Sequence, residues 1–169
     1  MGAAAEPPPP ASRPARRVMI ASEGRPIGRA VVQRAASLAR EADAEVFVMS
    51  IARVWGSSLG FPNPWLNPTK REWDEQKAIV SDAVAALEKS GLQAYGVVLA
   101  TRRPGKRILK EARLREVDAI VMGCDPPRNR VFGDFSWWQE PQRVARRARG
   151  VPVHLIEVDA EKGRSGRRR

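Results

Sequence analysis

The sequence predicts an α/β fold in which a parallel β-sheet lies between two layers of helices. Short apolar runs alternate with amphipathic helical patterns along the chain, as in proteins built from βαβ units. The first two runs are apolar without alternation, which is typical of strands covered on both faces. With 169 residues, of which 43% are apolar, the chain is long enough for one core and too short for a second large domain.

The first half of the chain contains two strands and a helix. Residues 18–21 (VMIA) form an apolar run that ends at Ser22-Glu23-Gly24, and residues 45–51 form a second run rich in β-branched and aromatic side chains. Between them, apolar residues follow the spacing of one helix face, with Pro26 expected in the first turn. These residues are Ile27, Val31, Ala35, Leu38 and Ala42.

The second half adds three helices and three strands after a long loop at 52–68. Thr69 and Glu72 have the spacing of a capping box, which predicts a helix from there to about Ser90-Gly91. In a helix after the third strand, Ile108 and Ala112 are expected to face the core. The remaining predicted elements are strand 94–100, helix 104–116, strand 119–122, an irregular stretch at 123–140, helix 141–149 and strand 152–158.

Basic residues dominate the chain, which carries a formal net charge of +11. Segments 1–17 and 159–169 contribute +2 and +3 and lack apolar periodicity, so we predict that both are disordered and that one domain spans 18–158. That domain carries +6. Because this charge is modest for its length, the sequence argues against nucleic-acid binding.

The composition excludes several classes of protein. One cysteine and one histidine cannot form an internal disulfide or a Cys/His zinc site. No stretch of 18 apolar residues occurs, and four consecutive prolines interrupt the N-terminal segment, so we expect a cytoplasmic protein that does not contact membranes. The common hydrolase and metalloprotease motifs are missing, which favours a protein that is not an enzyme.

Four segments give the chain a family resemblance. They are Ser22-Glu23-Gly24 after the first strand, Pro104 with Ile108 in the third helix, the run Asp118-Ala-Ile-Val-Met-Gly123, and the closing run Val151-Pro-Val-His-Leu-Ile156. Over residues 17–158 the chain resembles the universal stress proteins. The resemblance implies a three-layer, Rossmann-like fold of the adenine nucleotide alpha hydrolase type, with a five-stranded parallel sheet in the order 3-2-1-4-5. It also implies a homodimer formed through the last strand.

One branch of that family binds ATP through an acidic residue after the first strand and a loop of the form Gly-x2-Gly-x9-Gly-Ser/Thr. Here Glu23 stands where the family usually has Asp, and Gly123 occupies the first glycine position. Pro126 replaces the second glycine and has no N–H to donate to a phosphate. Ser136-Trp137 stands where Gly-Ser is expected. Arg128 and Arg130 could instead hold phosphates by side-chain charge, so the candidate nucleotide-binding residues are Ser22, Glu23, Gly123, Asp125, Arg128, Arg130 and Ser136.

Two functions remain open from the sequence. The first is a stress-linked regulatory protein that binds a small ligand, with ATP or AMP as the expected ligand (together with Mg²⁺ in the case of ATP) and without turnover. The second is a protein-interaction module in which the phosphate loop has decayed. Four of the five tryptophans lie in the two long loops: Trp55, Trp65, Trp137 and Trp138. They could stack on a base or contact a partner protein, or they could pack on each other, closing the cleft, or form a dimer surface.

Overall fold

The computed structural model of the protein describes residues 16–53, 68–124 and 140–157. These residues form five strands and four helices in alternating order. The elements are β1 (Arg17–Ser22), α1 (Arg29–Ala42), β2 (Glu45–Arg53), α2 (Lys70–Lys89), β3 (Ala94–Thr101), α3 (Pro104–Leu114), β4 (Ala119–Cys124), α4 (Glu140–Arg147) and β5 (Val153–Glu157). Residues 1–15 and 158–169, which contain most of the two predicted terminal segments, lie outside the described residues.

All five strands are parallel and form one sheet in the order β3-β2-β1-β4-β5. The predicted fold class and strand order are therefore confirmed. The order reverses beside β1, because β2 pairs with one edge of β1 and β4 with the other. A gap between two crossovers opens at such a reversal, and ligands of α/β proteins bind there at the carboxyl ends of the strands.

Two apolar cores cover the two faces of the sheet. Val18 and Ile20 of β1 face one core with α1 and α2, while Met19 and Ala21 face the other with α3 and α4. Successive side chains of a strand point to opposite faces, which explains why β1 is apolar throughout. The predicted inward positions Ile108 and Ala112 are both buried in the second core. Within the described residues, no helix is long and apolar enough to cross a membrane.

The predicted start of α1 is wrong. The helix begins at Arg29 with Gly28 in extended conformation as its N-cap, so Pro26 precedes the helix instead of occupying its first turn. The residues before it form a turn closed by the Ser22 side chain, and this turn keeps residues 23–27 out of the helix. Several other boundaries differ from the predicted ones by one or two residues: β1 begins at Arg17, β2 continues to Arg53, α3 ends at Leu114, β4 continues to Cys124 and α4 spans Glu140–Arg147.

Candidate functional site

The structure brings the ends of three neighbouring strands to one level at the carboxyl edge of the sheet. Ser22 of β1 is in register with Ser50 of β2. On the other side, the pairing of β1 with β4 ends at Ile20 and Val121, and Ser22 and Gly123 each lie two residues beyond that last pair. Adjacent strands are about 4.8 Å apart. Two of the sequence-predicted site residues, Ser22 and Gly123, therefore lie at the carboxyl ends of the adjacent strands β1 and β4, where the strand order reverses.

Ser22 closes the turn that connects β1 to α1. Its hydroxyl donates a hydrogen bond to the carbonyl oxygen of Arg25 at 2.6 Å and accepts one from the backbone N–H of Gly24 at 3.2 Å. Gly24 has a φ of 108°, in a region that side chains with a Cβ rarely occupy. The turn therefore requires glycine at this position, and its conformation directs the residue before it, Glu23, into the protein.

Glu23 is the most deeply buried acidic side chain among the described residues, with 1% of its surface exposed. Burying a carboxylate is costly unless a counter-charge and hydrogen bonds compensate for the lost water. Arg25 provides that counter-charge, with its Nε atom 2.6 Å from Glu23 Oε1. The turn thus holds an ion pair at the end of β1. The acidic member of this pair, Glu23, is the residue that the sequence analysis placed directly after the first strand.

A buried hydrogen-bonded chain of polar side chains supports this turn, and the sequence analysis missed it. The Ser50 hydroxyl donates to Gln76 Oε1 at 2.5 Å, and Gln76 Nε2 donates to the carbonyl oxygen of Gly24 at 3.0 Å. Gln76 therefore links α2, the end of β2 and the β1–α1 turn. The available signal was a glutamine three residues after Trp73 and four before Val80, on the inward face of α2 where an apolar residue is expected.

The amino end of α1 adds a positive field at the same edge. Gly28 provides no side-chain cap, and the first turn of α1 contains no acidic residue. The positive end of the helix dipole is therefore not offset by any carboxylate within α1. Backbone N–H groups at such an end favour an anionic group. The β1–α1 turn therefore combines the Glu23 carboxylate with the Arg25 guanidinium and the backbone N–H groups at the start of α1.

The other predicted site residues, Asp125, Arg128, Arg130 and Ser136, lie outside the described residues. The same is true of the four loop tryptophans. In the three ranges that the structure describes, no group of His, Cys, Asp and Glu side chains could hold a metal ion. The described part of the site therefore consists of the Glu23–Arg25 pair, the Ser50–Gln76 chain and the end of β4 at Gly123.

This geometry defines a class: an α/β protein with a polar site, containing a buried carboxylate, where its parallel sheet reverses strand order. The particular family follows from comparison with known sequences. The model of the universal stress protein family matches residues 14–156, and the chain belongs to that family. No curated protein gives a significant sequence match.

Solved structures of universal stress proteins share the fold. A protein from Archaeoglobus fulgidus is 21% identical, with a TM-score of 0.64 over 84% of this chain and 93% of its own. The universal stress protein from the same organism in complex with dAMP has a TM-score of 0.63 at 21% identity, covering 86% and 100%. A family member from Arabidopsis thaliana with AMP bound has a TM-score of 0.50 at 16% identity, covering 89% and 96%. At these identities the likeness establishes the fold alone.

Proposed function

We propose that the protein binds an adenine nucleotide, ATP or AMP, at the carboxyl edge of its sheet and acts as a cytoplasmic regulatory protein without turnover. The observation that carries the proposal is the buried carboxylate of Glu23 at the reversal point of the strand order. Structures of family members with dAMP and AMP support the choice of ligand. Mg²⁺ would accompany the phosphates in the case of ATP.

The chemistry of the turn suits a nucleoside. A carboxylate accepts hydrogen bonds from hydroxyl groups, and such charge-assisted bonds are stronger than neutral ones. In the proposed complex, the Glu23 carboxylate accepts a hydrogen bond from a ribose hydroxyl. The guanidinium of Arg25 and the amino end of α1 face the anionic phosphate. The bound sugar then compensates for the burial of Glu23, as Arg25 does in the ligand-free turn.

Calorimetric titration of the full chain with ATP, ADP and AMP tests the proposal. Replacing Glu23 by Gln keeps the size of the side chain and removes its charge, so affinity should fall about 10- to 150-fold, the equivalent of one charge-assisted hydrogen bond of about 1.5–3 kcal/mol. Glu41→Gln, an exposed change at the far end of α1, is the control and should leave affinity unchanged. Thermal melts of both variants confirm folding. No heat with any of the three nucleotides at millimolar concentration would refute the proposal.

A second candidate is a protein-interaction module that binds no nucleotide. Pro126 favours it, because a proline in place of the second loop glycine removes one backbone donor for phosphate. In that case the tryptophan-rich loops contact a partner protein. Failure of nucleotide binding together with intact folding is the result that would favour this alternative.

We also propose that the protein is a homodimer paired through β5. This strand stands at the edge of the sheet next to β4, and its apolar residues Val153, Leu155 and Ile156 are only partly buried. Edge strands with apolar side chains tend to pair with another chain. Light scattering should give a dimer mass that Val153→Lys reduces to a monomer, whereas Val97→Lys, on the opposite edge strand β3, keeps the dimer. A monomer for the unmodified protein at micromolar concentration contradicts the proposal.

A further inference from the structure

The positive charge of the described residues is concentrated on one layer of the fold. Residues 102–116 and 140–149, which contain α3 and α4 with their flanking residues, hold eleven Lys and Arg against three Glu. The rest of the described residues is neutral, with eleven basic and eleven acidic side chains. The net charge of +6 over residues 18–158 therefore does not reveal that α3 and α4 are strongly basic.

The exposed part of this pair is a surface that we call the basic face. It consists of Lys106, Lys110 and Arg113 on α3, Arg146 and Arg147 at the end of α4, and Arg149 two residues beyond, all of them exposed. The three residues of α3 follow the i, i+4, i+7 spacing of one helix side. The two helices contact each other and pack on the same core through Ile108, Ala112 and Val144, so their solvent-exposed sides belong to the same layer of the fold.

Two of the three carboxylates in these segments are engaged within the layer, and the third, Glu116, is exposed just after the end of α3. Glu111 is buried and forms ion pairs with Arg107 at 2.9 Å and Arg115 at 3.2 Å. Glu140 accepts the backbone N–H of Gly105 at 2.7 Å, which joins the starts of α3 and α4. Across the described ranges, no acidic side chain lies within ion-pair distance of the six residues of the basic face.

We propose that the basic face binds the phosphate backbone of double-stranded nucleic acid without base specificity. Four of its six residues are arginines, whose planar guanidinium groups match phosphate oxygens. Lys106 and Arg113 are about 10 Å apart along α3 at 1.5 Å per residue, and packed helices are about 8–10 Å apart. A duplex presents one charge for about every 1.7 Å of its axis, so this area faces several phosphates at once.

A membrane surface fits the basic face less well than a duplex. Helices that bind at the membrane surface insert an apolar side into the lipid, but the apolar side of α3 is buried against the sheet. Leu114, at the end of α3, is the one exposed large apolar side chain in the described part of the chain, with 67% of its surface accessible, and a single such side chain is less than an apolar helix side. This proposal departs from the expectation, based on average charge, that nucleic acid is not a partner.

The proposal is independent of the adenine nucleotide site, which uses none of these residues. Its test is fluorescence anisotropy of the full chain with a labelled 20-base-pair DNA duplex of mixed sequence. We expect micromolar binding in 50 mM KCl and a loss of about 10²-fold in 200 mM KCl, as for about four neutralised phosphates. Because the full chain is used, the basic terminal segments are the same in all variants.

The variant Lys106→Gln with Lys110→Gln and Arg113→Gln should weaken binding about 10- to 100-fold and reduce the slope of log K against log[KCl] by about 2.7. The matched control is Lys70→Gln with Lys77→Gln and Lys89→Gln, which removes the same charge from exposed positions of α2 in the opposite layer. It should bind within about threefold of the parent. Equal losses in both triple variants, no binding in 50 mM KCl, or binding to phosphatidylserine vesicles without binding to the duplex would each overturn the proposal.

Discussion

Replacing Gln76 by Leu tests whether the buried polar chain holds the candidate site in place. The two side chains are similar in size, but leucine can neither accept from the Ser50 hydroxyl nor donate to the Gly24 carbonyl. Ser50 has no exposed surface, so its hydroxyl would lose its partner without gaining water. A buried polar group left without a partner costs about 1–3 kcal/mol. Gly24 is only partly buried and contributes less, because water can reach it.

We therefore expect Gln76→Leu to lower the free energy of unfolding by about 1–3 kcal/mol, measured by urea denaturation at 25 °C. For a chain of this length the melting temperature should fall by about 2–4 °C for each kcal/mol. Adding Ser50→Ala to the Leu variant removes the unpaired hydroxyl and should recover stability. The two changes should be non-additive by about 1–2 kcal/mol.

The control for this cycle is Gln33→Leu, an exposed glutamine on α1, where the same change should shift stability by less than about 0.5 kcal/mol. Two results would refute the reasoning. One is a Gln76→Leu protein at least as stable as the parent. The other is a double variant whose loss equals the sum of the two single losses, because independent sites add.

Two further predictions concern other parts of the fold. Gly96→Ala should lower the free energy of unfolding by about 1–2 kcal/mol in urea denaturation, because a Cβ there would lie 2.2 Å from Cγ1 of Val80; a second change, Val80→Ala, should reduce that loss, and an unchanged loss would contradict the steric argument. Burial and, secondarily, the charge of Arg34 lower the pKa of His154 below 6.5, so the unfolded chain binds this proton more readily and stability is lost as pH falls below about 6.5. Between pH 7 and 5 the parent should therefore lose more unfolding free energy than His154→Gln, and equal losses would be inconsistent with this assignment.

The order and type of the elements could be predicted because they depend on local patterns. The apolar runs of β1 and β2 and the capping box at Thr69 identify strands and a helix without knowledge of their neighbours. The start of α1 could not be predicted in the same way. Pro26 is acceptable in a first helical turn, but the contact of the Ser22 side chain with Arg25 extends the preceding turn, and this contact exists only in the folded chain.

The candidate site also contains residues that could be predicted from local sequence and residues that could not. Glu23 and Gly123 were candidates because the resemblance to the universal stress proteins implies an acidic residue after the first strand and a glycine at the end of the fourth, and the carboxyl ends of parallel strands meet at one edge. Ser50 and Gln76 are far apart in the sequence, and each is an unremarkable polar residue within an apolar pattern. Their hydrogen bond depends on the position of α2 over β2, which is a property of tertiary packing. The sequence shows that arginines crowd α4. It does not show that α3 packs beside α4 and adds its own basic residues, because the pairing of helices is a property of tertiary packing.

The two proposed ligands would bind to different parts of one framework. The proposed nucleotide site lies at the β1–α1 turn and α2, while the basic face belongs to α3 and α4 in the opposite layer. β4 is common to both, since it pairs with β1 beside the site and contacts α4. Coupling between two sites is reciprocal. If nucleotide changes the affinity of the basic face for a duplex by some factor, the duplex must change nucleotide affinity by the same factor, and a factor of one would show that β4 transmits no free energy between the two layers.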